Sequence, residues 1–138
     1  MRKQIFVCGF IFFLIFCGSL ATNNLYAISE RLEILLSKAE TLEKTNNFDA
    51  AIAIYNQALS IASDNKLGAN ISFIHKKIGD IYYAQKQFQS AKHHYHKSVL
   101  YDSSNTYSGD VHLNLGLLYR KENNTDSLLI HLKYALDI

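Results

Sequence analysis

The sequence predicts an all-α protein of about three stacked helix–turn–helix units behind an apolar leader. Three observations lead there. Small and large residues recur in a fixed order at helical spacing, apolar residues step by three and four along most of the body, and no segment alternates with period two long enough for a strand. The first copy of the pattern reads Ala39-x-x-Leu42…Phe48-x-x-Ala51-x-x-x-Tyr55-x-x-Ala58. The second reads Gly79-x-x-Tyr82…Phe88-x-x-Ala91-x-x-x-Tyr95-x-x-Ser98, and a weaker third reads Gly116-x-x-Tyr119…Leu128-x-x-x-Leu132-x-x-Ala135. Small residues let two helices approach closely, and large ones fill the space between them.

The leader comes first. Met1-Arg2-Lys3-Gln4 is basic, Ile5 to Phe16 is almost entirely apolar, and Ser19-Leu20-Ala21 and then Ala27 offer small residues to a signal peptidase. Residues 1–27 therefore read as a cleaved secretory signal. The alternative is an uncleaved membrane anchor, because Ile5 to Ala21 is 17 residues, the lower edge of a span. Both cysteines, Cys8 and Cys17, lie in this segment, so the body, 28–138, has no thiol for a disulfide, a thiolate metal site or a nucleophile. Leu14-Ile15-Phe16-Cys17 partly fits a bacterial lipobox, with Phe16 where a small residue is required; lipidation at Cys17 is a third arrangement. The expectation is an exported protein, periplasmic or at the cell surface. It meets a membrane only if the leader is retained or Cys17 is lipidated. Arg2 and Lys3 belong to the leader, so the remaining 12 basic residues balance the 12 acidic ones. A neutral body gives no nucleic-acid signal.

In the body, periodicity begins near Ser29, a candidate cap for a first turn carrying Glu30 and Glu33. Leu32, Leu35, Leu36, Ala39 and Leu42 form a stripe that Asn46-Asn47 breaks. Ala50, Ala51, Ile54, Tyr55, Ala58, Leu59 and Ala62 mark a second helix, closed by the loop Asp64–Gly68. Ile74, Ile78, Ile81 and Tyr82 mark a third, which turns at Lys86-Gln87 into a fourth with Ala91, Tyr95, Val99 and Leu100. Asp102 to Gly109 reads as a loop; Val111 to Tyr119 and Ser127 to Ile138 complete the last pair across Glu122–Thr125. Proline is absent, so Gly, Asn and Asp end the helices.

These positions resemble the tetratricopeptide repeat family. Ala39, Gly79 and Gly116 match the small position of its first helix, and Leu42, Tyr82 and Tyr119 the large position one turn later. Ala51 and Ala91, Tyr55 and Tyr95, and Ala58, Ser98 and Ala135 match its second helix, with Phe48 and Phe88 as the turn aromatics. The copies are 40 and 37 residues apart, longer than the family's ~34, and the excess is assigned to the loops 65–71 and 103–109. Leu128 and Thr125 depart from the pattern in the third copy. The resemblance implies a right-handed superhelical solenoid of six helices, with repeats at about 32–65, 72–105 and 109–138. It also implies a concave face that holds a peptide or protein partner. In register, that groove presents Leu36, Glu40, Glu43, Phe73, Lys76, Asp80, Tyr83, Leu113, Leu117 and Arg120. One subtype clamps a C-terminal carboxylate with Lys and Asn. Lys76 and Asn114 match two of those places, but Asp80 would repel a carboxylate, so that function is rejected.

Little else suggests chemistry. His93-His94-x-His96 places His93 and His96 one helical turn apart, without Cys, Asp or Glu close in sequence to complete a metal site. His75 and His112 fall where the family has large aromatics and read as planar fillers. Glu40 and Glu43 have no apolar pocket to separate their pKa values. No phosphate loop, nucleophile elbow or His-Glu-x-x-His occurs. No catalytic residue, metal or cofactor is therefore expected. Asn70-Ile71-Ser72 and Asn123-Asn124-Thr125 are glycosylation sequons. Leu128, Leu129, Leu132 and Leu136 make the last helix apolar without a polar cap, so this face is expected to pack on a second copy, a partner or a continuation of the chain. The leading reading is a non-enzymatic interaction module; the alternative is the truncated sensor portion of a larger bacterial signalling regulator.

Overall fold

The computed structural model describes residues 25–103 and 106–136. Residues 1–24 of the expected signal, Cys8 and Cys17 among them, and Ile138 lie outside them. The chain divides into two compact units, 1–34 and 35–138. Of the first, 25–34 are described and are helical.

Among the described residues there are six helices and no strand. Helix α1 runs over 25–44, α2 over Phe48–Asp64, α3 over Gly68–Ala84, α4 over Phe88–Tyr101, α5 over Ser108–Lys121 and α6 over Thr125–Leu136. From α2 onward consecutive helices pack pairwise, α3 with α4 and α5 with α6 most extensively. Three starts differ from the sequence reading. Helix α1 is already formed at Leu25, so Ser29 sits inside it rather than capping it. Helix α3 begins at Gly68, because Ile71 and Ser72 are buried and belong to its inward face. Gly109 lies in the first turn of α5, not in the loop before it.

Four of the five turns are built identically. Asn46, Lys66, Lys86 and Asn123 take left-handed φ values of 58°, 55°, 62° and 56°. At the first, the Asn46 N–H donates to Glu43 O and the Asn47 N–H to Leu42 O, and the other three repeat this double bond. These are Schellman closures, which satisfy the last carbonyls and start the next helix within a few residues. Asn tolerates this conformation; lysine at Lys66 and Lys86 is held there against its preference. Of these turns, Asn124 supplies a side-chain cap, its Oδ1 accepting the Ser127 N–H at 3.1 Å. The connection from α4 to α5 is longer. Buried Asp102 organises it by accepting the backbone N–H groups of Thr106 and Tyr107 at 3.1 and 2.8 Å.

Small-against-large packing sets the helix spacing. Ala39, Ala51, Tyr55, Ala58, Ala62, Ala91 and Tyr95 are essentially inaccessible. A Cβ added to Gly79 would lie 2.8 Å from the Tyr95 ring, whereas one added to Gly116 would meet Leu128 and Leu132 at 3.4 Å or more. Gly79 is thus fixed by close approach of the ring. Ser72 and Ser98, also fully buried, share a hydrogen bond at 3.1 Å that joins α3 to α4. This buries the hydroxyl of the Asn70 sequon. Among the described residues no helix is long and apolar enough to cross a membrane.

Two outcomes follow for urea denaturation. Gly79→Ala should cost about 1–3 kcal/mol by overpacking against Tyr95, while Gly116→Ala should be neutral or stabilising by up to ~1 kcal/mol through helix propensity. Lys66→Gly and Lys86→Gly should each stabilise by roughly 0.5–1 kcal/mol by removing the left-handed penalty.

Candidate functional site

The face carried by the first helix of each repeat holds a polar ladder. Its rungs grow from the buried tyrosines. Tyr55 and Tyr95 occupy the same register in α2 and α4, with rings in the core and hydroxyls reaching back to the preceding helix. Tyr55 donates to Glu43 Oε2 at 2.9 Å, and Tyr95 to Asp80 Oδ1 at 2.8 Å. Burial first, then the adjacent carboxylates, push both phenols well above the ordinary tyrosine range. They remain neutral donors.

Each acid is then bridged by the first helix of the following repeat, 34 residues on. Lys77 Nζ lies 3.4 Å from Glu43 Oε2 and 3.7 Å from Glu40 Oε1. Asn114 Nδ2 donates to Asp80 Oδ1 and to the Tyr95 hydroxyl, both at 3.4 Å. Lys76 pairs with Asp80 at 3.0 Å along α3. Lys76 and Asn114, the two residues that matched a carboxylate clamp, therefore both serve Asp80. In the third repeat the register places Leu117 where Asp80 stands and Leu132 where Tyr95 stands, so phenol and acid are replaced together by an apolar pair.

The remaining sequence candidates divide by exposure. Leu113 and Arg120 are exposed; Leu36 and Leu117 are half-buried. Phe73 packs its ring 5.6 Å from Tyr107 and has Lys77 over its face at 5.8 Å. Tyr83 packs on Phe88 at 5.8 Å, and Lys121 lies 4.9 Å over that Phe88 ring. On α6, Leu128 and Leu132 are half-buried toward Gly116, while Leu129 and Leu136 are exposed, as are Ile130 and Tyr134.

The histidines are arranged differently from the residue-by-residue reading. His93 and His96 do not meet as a pair: His93 contacts His94 edge-on at 5.5 Å, and His96 Nε2 lies 3.2 Å from the Tyr119 hydroxyl. His75 and His112 are buried, but each is hydrogen-bonded rather than merely filling space. His75 Nδ1 faces His94 Nδ1 at 3.1 Å, and His112 Nδ1 faces His131 Nδ1 at 2.8 Å. Sequence reasoning missed His94 and His131 as partners. The available signal was the offset of 37 residues that carries His75 to His112, Tyr82 to Tyr119 and His94 to His131 together. An open cleft of about 330 Å³ beside the first pair is lined by Tyr82, Gln89, Ser90, His93 and His94. Among the described residues no three His, Cys, Asp or Glu side chains converge as a metal site would require.

This geometry defines a helical-repeat protein whose first helices are tied together across repeats. The chain matches the tetratricopeptide repeat family over residues 30–99, half its length, and belongs to that family. Its fold is similar to the crystal structure of BtubC (BKLC) from P. vanneervenii, with a TM-score of 0.66 at 22% identity over 78% of this chain and 45% of that one. This chain therefore spans less than half of that structure's length. A search of curated proteins gives no significant match. Repeats of this family generally mediate protein–protein interaction and are typically non-enzymatic.

Asp80 takes three partners at once, so Asp80→Ala should cost about 2 kcal/mol or more, since a buried phenol loses its acceptor. Arg120→Ala, on the same face but exposed, should change stability by less than about 0.5 kcal/mol. Paired urea titrations check the contrast.

Proposed function

We propose that this chain is an exported, non-enzymatic interaction module that holds a peptide or protein segment along its first helices. The observation that carries this reading is the ladder itself. Lys76, Lys77, Glu43 and Asp80 satisfy one another, so the face is formed without a ligand and little ordering cost falls on binding. What it offers outward is chiefly apolar, from Leu36, Leu113 and Leu117, with Arg120 as an exposed cation. A segment with apolar side chains and one acidic group suits such a surface. The periplasm or cell surface is the proposed site of action, from the apolar leader.

A second reading, the sensor portion of a larger signalling regulator, is supported by α6. Leu129, Ile130, Tyr134 and Leu136 are all more than half exposed. An apolar helix face of that kind suits a further helix, a partner or a second copy.

Capture of partners by the full chain, followed by mass spectrometry, tests the first reading. Leu113→Glu with Arg120→Glu should abolish capture without lowering the melting temperature. Partners retained undiminished by that double variant would overturn it.

A further inference from the structure

The two histidine pairs occupy equivalent places in the second and third repeats, between the two helices of each. The first repeat has Leu35, Leu42 and Ile54 where the second has His75, Tyr82 and His94 and the third has His112, Tyr119 and His131. Positions that are apolar in the first repeat thus carry, twice and in the same form, an imidazole–imidazole contact flanked by tyrosine.

The chemistry of that contact is restrictive. Two Nδ1 atoms at 3.1 and 2.8 Å share a single proton, one ring donating and the other accepting. Protonation of both rings would set N–H against N–H and bring two cations into contact. The tyrosines leave little freedom to turn away. His75 stacks on Tyr101 with ring centres 6.3 Å apart, and Tyr82 lies against His94 at 5.4 Å. His112 stacks on Tyr134 at 5.0 Å, and Tyr119 on His131 at 5.2 Å and within 8° of parallel.

We propose that these paired histidines are an acid-sensitive release built into the second and third repeats: on mild acidification α3 separates from α4 and α5 from α6, while the apolar first repeat holds.

The neighbouring histidines and lysine that act on these rings all oppose their protonation. Facing His75 and His94 are Tyr82 on α3 and His93, Lys97 and Tyr101 on α4. Facing His112 and His131 are Tyr119 on α5, Tyr134 on α6 and, from the neighbouring α4, His96. Lys97, His93 and His96 each oppose a further positive charge. Lys92 adds to this at His96, while its own charge is held by Glu122 at 2.7 Å. Burial, and then these neighbours, lower His75, His94 and His131 to about 4, and burial lowers His112 as well. An unfolded histidine takes up its proton near pH 6.5. Between about 6.5 and 4 the unfolded chain therefore binds more protons than the folded one, and stability is lost as pH falls through that window. The device is independent of what the protein binds.

The test is urea denaturation of the full chain between pH 7.5 and 4.5, followed by circular dichroism. The folding constant should fall by up to about tenfold per pH unit for each participating histidine. The variant His75→Leu, His94→Ile, His112→Leu, His131→Ile installs the first repeat's residues. It should lose most of that slope while keeping its helicity at pH 7.5; an unchanged slope would overturn the proposal. Should the variant not fold, histidine ring-proton NMR of the wild type decides. Four imidazoles that stay unprotonated until the fold is lost support the release, and titration near 6.5 in the folded protein would refute it. A zinc-induced rise in melting temperature, absent from the variant, would assign the pairs to metal chelation and overturn it too.

Discussion

The close approach of a tyrosine ring to a residue without a side chain organises the second repeat and, through it, the third. Because Gly79 presents no Cβ, Tyr95 lies directly on the α3 backbone. From there its hydroxyl reaches Asp80, one residue further along α3. The acid, oriented by that bond, can then accept Asn114 from α5 and Lys76 from its own helix. One steric vacancy therefore sets the α3–α4 spacing, the position of a carboxylate and the attachment of the next repeat. The third repeat shows the converse. Gly116 meets Leu128 and Leu132 instead of a phenol, and Leu117 replaces the acid. Without a hydroxyl to receive there is no reason to bury a carboxylate, whose desolvation would go uncompensated.

Uniform turns allow this arrangement to repeat. A Schellman closure consumes the last carbonyls of one helix while aiming the chain into the next, so the angle between neighbours is set by local backbone bonding. Where a connection must be longer, between α4 and α5, a buried carboxylate takes over: Asp102 ties down two backbone N–H groups that no helix satisfies. Most of this was readable in the sequence. Asn46-Asn47 and Asn123-Asn124 are turn formers in their own right, and the small–large order fixed which residues face inward. The left-handed lysines were not readable, because nothing in lysine favours that conformation; the helices on either side impose it. The start of α3 at Gly68 was hidden for a related reason. Asn70 and Ser72 look like loop residues until the burial of Ile71 and Ser72 is known.

The candidate site was readable only as a surface. Register placed Glu43, Lys76, Asp80 and Arg120 along the first helices, but not which of them were already engaged. Lys76 pairs with Asp80 within one helix, but the other partners of Glu43 and Asp80 come from elements 12 to 34 residues away, a separation at which no local pattern reports pairing. The result redistributes the roles. Glu43 and Asp80 hold repeats together and Lys76 is engaged by Asp80 along α3, leaving Leu113 and Arg120 as outward-facing groups. The histidines show the same limit from the other side. Taken singly, a buried His75 or an exposed His93 is unremarkable; only the pairing across helices, repeated at one offset, gives them a common chemistry.

That pairing also separates the repeats by the kind of adhesion inside each. In the first repeat the equivalent positions, Leu35, Leu42 and Ile54, are apolar and indifferent to protons. His75 with His94, and His112 with His131, hold their helix pairs through a bond that is lost once both rings are protonated. The two kinds are not interchangeable in energy. Apolar burial scales with area and tolerates small displacements, whereas a shared-proton contact is directional and fails once its geometry or protonation changes. Contacts between the second and third repeats combine an apolar core, Ala91 and Tyr95 against Val111, Leu115 and Leu118, with polar bonds. Those bonds are anchored by carboxylates: Asp80 accepts from the neutral Asn114, and Glu122 pairs with the Lys92 cation. In a stack where each unit touches only its neighbours, stability is a sum of such local terms. A chain that varies the interior of its units can thereby give individual repeats different responses to the same conditions.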